Sequence, residues 1–477
     1  MATLGPASTD EETLRRMILA GLDVVRLNFS HGQPETLAPV IERVRRLSDE
    51  MNVPLAILGD LRGPRIRVGE MENGSIELTT GQKVVLTPQP VIGTPARISV
   101  SFSQLAGDVR AGSLLLLDDG NLELKVETVK DNGDVVCRVV QGGMLSSHRG
   151  INLPGLRVSL PSITKKDYAD IDFAIAQQLD FLALSFVQSA SDVRQLNAYL
   201  AGEGAKIPVI AKIEKKGALD DIEAIVAEAY GVMVARGDLA LEMSIQDVPI
   251  AQKRIIAACR NAAIPVITAT QMLESMIERH KPTRAEATDV ANAILDGTDA
   301  LMLSGETAIG KYPAETVATM AAIAVRTERA CLSGELPGWP GVDSPRGIDA
   351  NVAYASQVVA ESIAAKAIVI HTTTGATARR VTCHRPEIPV LALTSHPATR
   401  RRLALTWGVE SGLVENIQDT DHMVKLAFEH VLKRGIAALG ETIVITAGTP
   451  YGTAGRTNML KVEQISNEIT SEEAVDA

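Results

Sequence analysis

Lys212 and Glu214 stand two residues apart at the end of the apolar run Pro208-Val-Ile-Ala-Lys-Ile-Glu214. In an extended chain such residues share a face, so both side chains can address one site. The next strand-like run, Gly231-Val-Met-Val-Ala-Arg-Gly-Asp238, also ends in an acid after a glycine. Glu214 and Asp238 offer carboxylate oxygens to a hard divalent ion, with Lys212 beside them as a fixed positive charge. The competing reading is a pair of buried strands joined by a salt bridge at their ends. It loses weight because other strand-like runs end in polar residues too: Arg26, Asn28 and Ser30; Asp60; Thr270 and Gln271; Ser304 and Glu306. That set holds no nucleophile paired with a histidine, which argues against acyl-enzyme chemistry. An acid pair among fixed cations suits phosphoryl transfer or stabilisation of an enolate.

These residues need a scaffold that gathers strand ends. Apolar runs alternate with helical periodicity: Ala2–Leu4, Val24–Ser30, Leu55–Asp60, Phe181–Val187, Pro208–Glu214, Gly231–Asp238, Pro265–Gln271 and Ala300–Glu306 read as strands, each with a helix after it. This is the arithmetic of a (β/α)8 TIM barrel, whose chemistry sits at the C-terminal ends of its strands. Helix starts are signalled by Ser8-Thr-Asp-Glu11, Thr164-Lys-Lys-Asp167 and Thr283-Arg-Ala-Glu286, and a stop by Gly21. From Gly63-Pro64 the period changes to two, with tight-turn signals at Asp118-Asp-Gly120 and Asp131-Asn-Gly133. Leu122–Val129 and Val135–Val140 are expected hairpin partners in an inserted all-β domain after strand 3. Past a Pro/Gly-rich linker, Ser333–Gly341, a C-terminal α/β domain is expected, with helices at 350–363 and 421–434 and strands at 367–372, 390–394 and 442–447. The boundaries are 1–63 and 159–335 for the barrel, 64–158 for the insertion and 340–477 for the last domain. Ser471–Ala477 is polar and acidic and is expected to fray.

Apolar residues make up 45% of the 477 and aromatics only 3%, so the core is aliphatic, as parallel α/β layers require. The net charge of −11 argues against a general nucleic-acid partner, and a small anionic substrate then needs a local basic cluster. No apolar run has the length of a membrane span, and no signal-peptide pattern opens the chain. The four cysteines are scattered, without metal-ligand spacing, which fits reduced thiols in a cytoplasm.

Several strings together, Ala2-Thr-Leu-Gly-Pro-Ala-Ser8, Asp23-Val-Val-Arg-Leu-Asn-Phe-Ser-His-Gly32, Ala235-Arg-Gly-Asp-Leu239, Ile267-Thr-Ala-Thr-Gln-Met272, Pro282-Thr-Arg-Ala-Glu286 and Met302-Leu-Ser-Gly-Glu-Thr307, resemble the pyruvate kinase family over nearly the whole chain. The resemblance implies a glycolytic transfer of the phosphoryl group of phosphoenolpyruvate to ADP, giving pyruvate and ATP. It implies that Glu214 and Asp238 hold Mg²⁺ (or Mn²⁺), that Lys212 stabilises charge in flight, and that Arg26, Gly237, Asp238 and Thr270 seat the substrate. Thr270 and Ser304 are implied in protonating the enolate. Asn28, His31, Arg67 and Lys166 are implied at the nucleotide or the moving phosphoryl group, with the insertion closing as a lid. A homotetramer in the cytoplasm is implied as well.

Two departures stand out. Many members carry an acid two residues before the arginine that opens the β insertion, and depend on K⁺; others carry a lysine there and do not. Here Asp60-Leu-Arg-Gly-Pro-Arg-Ile-Arg67 puts Arg65 in that position, so K⁺ independence is expected, although Asn28, Ser30, Asp60 and the Leu61 carbonyl match the family's K⁺ site. Relatives also carry several residues before Ala-Thr-Leu-Gly-Pro; here Met1 falls in the first strand, so either that strand is short and closure weak, or the start lies upstream. In the last domain Thr372, Thr373, Thr374, Gly375, Thr377 and Arg379 follow a strand and enter a helix. Their hydroxyls and the helix start suit an effector phosphate, a sugar phosphate or AMP, against the plainer reading of a β-α turn. The resemblance places a second effector or interface loop at Thr449–Asn458. Two rival functions remain: a Mg²⁺-dependent pyruvate-enolate lyase or aldolase needing no ADP, and a catalytically silent regulatory subunit.

Overall fold

A computed structural model of the chain describes residues 1–30, 32–156, 158–450 and 456–466. His31, residues 451–455 of the Thr449–Asn458 loop and the acidic tail expected to fray therefore lie outside the described residues.

Eight parallel strands form the central sheet in chain order: Ala2–Thr3, Val24–Asn28, Ala56–Asp60, Phe181–Leu184, Val209–Ile213, Gly231–Ala235, Val266–Ala269 and Ala300–Met302. The sheet closes where Ala2 pairs in parallel with Leu303 and the Thr3 amide donates to the Leu303 carbonyl at 2.9 Å. The first strand is two residues long, and with this isolated bridge the barrel is nearly closed.

Period-2 alternation sorts the strand side chains. Val25, Ile57, Leu182, Val209, Ala211 and Val232 face the helical layer. Val24, Leu58, Phe181, Ala183, Ile210, Met233 and Ile267 fill the barrel interior. The same alternation, continued toward the strand ends, turns Arg26, Asp60, Lys212 and Glu214 inward at one rim. Leu405, from the last domain, joins the interior core.

Several strands end earlier than expected, and at two of them the chain turns into a helix. The sixth strand stops at Ala235, and Arg236-Gly-Asp opens a helix, Arg236–Glu242. The eighth stops at Met302 and Gly305–Ala308 is helical. A helix begins just past each strand's end, so Asp238 and Glu306 ride on helix starts rather than strands. The first helix, Glu11–Leu19, is capped by Asp10, which accepts the Thr13 amide at 2.9 Å, not by the Ser8–Glu11 box. Ser8 is buried and its hydroxyl accepts the Gly5 amide at 3.2 Å instead. The boxes at Thr164/Asp167 and Thr283/Glu286 both form.

The insertion holds a seven-stranded sheet, with Leu122–Val129 paired antiparallel to Val135–Gln141 as expected, and a two-stranded ribbon of Ser75–Leu78 with Gly143–Ser146. It has its own aliphatic core around Leu115, Leu124, Val135 and Ile98. The last sheet has five strands in the spatial order Val409–Leu413, Val390–Thr394, Ile368–His371, Thr442–Ala447 and Met459–Gln464. Its two edge strands escape the sequence reading because they are half exposed and interleaved with Glu410, Gly412, Lys461 and Glu463. No helix among the described residues is long and apolar enough to cross a membrane, and all four cysteines are free thiols.

Candidate active site

Strand register delivers the charged groups to one rim. Arg26 lies beside Thr3 on the first strand and Leu58 on the third, while Asn28 lies beside Asp60. Arg26 donates through Nε to Asp60 Oδ2 at 2.7 Å and through Nη1 to Thr3 Oγ1 at 2.9 Å. Lys212 Nζ reaches Asp60 Oδ1 at 3.1 Å, Glu214 Oε1 at 2.9 Å and Ser185 Oγ at 2.8 Å. The second oxygen of Glu214 accepts the Phe186 amide at 2.7 Å. One cluster thus links the ends of the second to fifth strands.

Burial dominates its electrostatics. It alone would push Asp60 up, but Lys212 and then Arg26 overcome it and hold that carboxyl below its ordinary value. Burial would likewise strip Lys212 of its proton; Asp60 and Glu214 keep it above the usual lysine value. Glu214 is pushed up, chiefly by burial, with the Asp238 charge adding to what Lys212 opposes. Two carboxylates repelling one another in a buried rim fit a hard divalent cation. Among the described residues no third His, Cys, Asp or Glu joins them at ligating distance, so such an ion would complete its shell with water and substrate oxygens, as Mg²⁺ does. Asp238 also meets Arg65 Nη2 at 3.5 Å.

Across the rim, Thr270 Oγ1 accepts the Gly237 amide at 2.9 Å and donates to the Ala269 carbonyl at 2.6 Å. The Ser304 amide donates to Glu306 Oε2 at 2.7 Å, and Glu306 Oε1 takes the Leu273 amide at 3.1 Å, so Glu306 ties together the loops that carry Thr270 and Ser304. Asn28 Oδ1 accepts the Ser30 amide at 3.0 Å. Lys166 spends its donors on the Phe29 carbonyl, at 2.9 Å, and on both oxygens of Asp170. Arg67 donates to the His148 carbonyl at 2.8 Å. It is held below its ordinary value by burial and by the neighbouring charges of Arg62 and Arg65, which marks a cationic stretch at the start of the insertion.

Sequence reading missed Ser185, whose hydroxyl also donates to the Leu61 carbonyl at 2.7 Å. The signal was available: Ser185 follows the fourth strand as Asp60 ends the third. The left-handed backbone at Phe186, φ 56°, which aims that amide at Glu214, left no sequence trace. In the last domain Thr372, Thr373, Thr374 and Thr377 line one cavity, with Arg380 and His396. Arg379 is not among them; its guanidinium lies over the Tyr230 ring at 4.4 Å, between the domains.

Fixed cations packed against buried acids at the C-terminal rim of a (β/α)8 barrel, with a β domain inserted after the third strand, suit a barrel enzyme of phosphoryl transfer. Comparison with known families is specific. The model described as pyruvate kinase, barrel domain, matches residues 1–317, and that described as pyruvate kinase, alpha/beta domain, matches residues 350–463. The pyruvate kinase of Geobacillus stearothermophilus is 45% identical over 98% of this chain and 80% of its own length. That of Mycobacterium tuberculosis is 43% identical over 98% of both. A crystal structure of a pyruvate kinase from Cryptosporidium parvum superposes with a TM-score of 0.90 at 34% identity, covering 98% of this chain and 95% of that one. The chain belongs to the pyruvate kinase family and is a phosphotransferase; the lyase or aldolase alternative is not favoured.

Proposed function

We propose that the chain moves the phosphoryl group of phosphoenolpyruvate to ADP, with the cluster around Lys212 as the reacting centre. The bond from phosphorus to the enol oxygen breaks, a bond from phosphorus to a β-phosphate oxygen of ADP forms, and the enolate left behind takes a proton at its methylene carbon. Lys212 and Arg26 face the side where negative charge gathers on the phosphoryl oxygens and then on the enolate. Glu214 and Asp238 would hold Mg²⁺ or Mn²⁺, which when bound would supply positive charge to an anionic substrate. Gly237, Asp238 and Thr270 seat the substrate, and the Thr270 and Ser304 hydroxyls serve the protonation. Asn28, His31, Arg67 and Lys166 serve the nucleotide, and the insertion closes over it and excludes water.

K⁺ is not required in this reading. Arg65 already brings a guanidinium to Asp238, and two oxygens of the matching K⁺ site are engaged: Asp60 by Arg26 and Lys212, the Leu61 carbonyl by Ser185. The threonine-lined cavity of the last domain, with Arg380 in place of Arg379, takes the phosphate of a sugar-phosphate or nucleotide effector, and the working form is a cytoplasmic homotetramer.

The observation that carries the proposal is the convergence of Arg26, Asp60, Lys212 and Glu214 on one rim. A coupled assay for pyruvate, with phosphoenolpyruvate, Mg²⁺ and purified chain, tests it. Pyruvate is expected only when ADP is added. Pyruvate released from a 4-hydroxy-2-oxo acid, with no ADP present, would favour the lyase or aldolase, and none from either substrate a silent regulatory subunit.

A further inference from the structure

We propose that Arg236 is a positioning residue that fixes the Thr270 hydroxyl for catalysis; the inference rests on the role proposed for Thr270. Two consecutive residues without glycine's freedom, Thr270 at φ 70° and Gln271 at φ 54°, hold left-handed backbone after the seventh strand. Thr270 is the only β-branched residue with positive φ among the described residues, a conformation that such side chains strongly resist. Something must hold the segment there. Arg236 extends from the first turn of the neighbouring helix, with only 11% of its side chain exposed. Its Nη2 donates to the Thr270 carbonyl at 2.7 Å, lies 3.4 Å from the Gln271 carbonyl and touches Met272 Sδ at 2.7 Å. Its Nε reaches the Ala269 carbonyl at 3.3 Å, and Nη1 is anchored by Asp289 at 2.8 Å and Gln252 at 3.5 Å. All the donors of the planar fork are used, and most face the strained segment.

The Ala269 carbonyl is the informative one, because it accepts both Arg236 Nε and the Thr270 hydroxyl. When that hydroxyl turns to substrate, Arg236 keeps the carbonyl satisfied, so the turn does not strand a buried acceptor. The amide of Gly237, next in sequence to Arg236, holds the same hydroxyl from the other side. An ammonium has the charge of a guanidinium but neither its plane nor its five donors.

The test is a double-mutant cycle on the full chain: Thr270→Ala, Arg236→Met, Arg236→Lys and the two combinations, with kcat, KM for phosphoenolpyruvate and thermal melting measured for each. Arg236→Met is expected to lower kcat by on the order of 10²-fold, with KM changed by less than about threefold. Arg236→Lys is expected to recover less than about a tenth of that loss. In the Thr270→Ala background either change is expected to cost less than about threefold more, because the group being positioned is gone. Equal losses in both backgrounds, or full activity in Arg236→Lys, would overturn the proposal. If Arg236→Met fails to fold, the lysine cycle decides alone, since lysine can keep the Asp289 ion pair. A near-normal kcat in Thr270→Ala alone would instead remove the role of Thr270 itself, and with it the function assigned to Arg236.

Discussion

Lys212 lies between two buried carboxylates, 3.1 Å from Asp60 and 2.9 Å from Glu214, so its charge is held in the rim before any substrate arrives. A preorganised charge of this kind stabilises a transition state without reorganising at the moment of reaction. The cost is dependence on a single side chain.

Replacing Lys212 by Met should therefore lower kcat by on the order of 10³-fold or more, while circular dichroism and melting show a folded chain. The methionine fills similar volume but leaves Asp60 with Arg26 and a 3.4 Å hydrogen bond from Ser185, and Glu214 with the Phe186 amide. A near-normal turnover number would contradict the charge role.

Ser185 accepts from Lys212 at 2.8 Å and has no net charge to contribute. Ser185→Ala should reduce kcat about tenfold, with little change in the affinity for ADP. A loss as deep as that of Lys212→Met would mean that the serine does more than orient the ammonium.

Arg65 should make K⁺ dispensable. Activity in tetramethylammonium buffer is expected to stay within about twofold of that in K⁺, whereas Arg65→Glu should lose on the order of 10²-fold without K⁺ and recover when it is added. A parent chain that itself falls by that factor without K⁺ would refute the substitution of one cation by the other.

His371, buried at the end of its strand in the last domain, is pulled down to about 3 from the ordinary 6.5, chiefly by burial. The sign follows from linkage. A depressed value means that the unfolded chain binds the proton first, so stability is complete above about 6.5 and falls as pH drops toward 3. Between pH 7 and pH 5 the loss should be about 2 kcal/mol. Denaturant unfolding at both pH values should show it, and His371→Leu should flatten that part of the pH dependence. An equally steep dependence in the leucine variant would place the proton uptake elsewhere.

Much of this was legible in the residues. Strand-helix alternation, the insertion and the inward set Arg26, Asp60, Lys212 and Glu214 follow from period-2 patterning, because inside a closed barrel each strand has only two faces. What was not legible depends on backbone turns. Asp238 left the strand for a helix because Arg236-Gly-Asp is short and polar, and the period offers no test over three residues. Arg379 was grouped with the threonines by sequence proximity, but one residue along a helix rotates a side chain by about 100°, which sends Arg380 to the cavity and Arg379 to Tyr230. Phe186 and Thr270 take left-handed backbone that their side chains disfavour, and tertiary hydrogen bonds, to Glu214 and from Arg236, meet those segments there.

Binding of Mn²⁺, followed by electron paramagnetic resonance or calorimetry in the presence of phosphoenolpyruvate, probes the acid pair most directly. One tight ion per chain is expected in the parent, with affinity weakened by on the order of 10²-fold in both Glu214→Gln and Asp238→Asn. Unchanged affinity in either variant would show that the two acids do not share one ion, and would contradict the arrangement on which the reaction has been built.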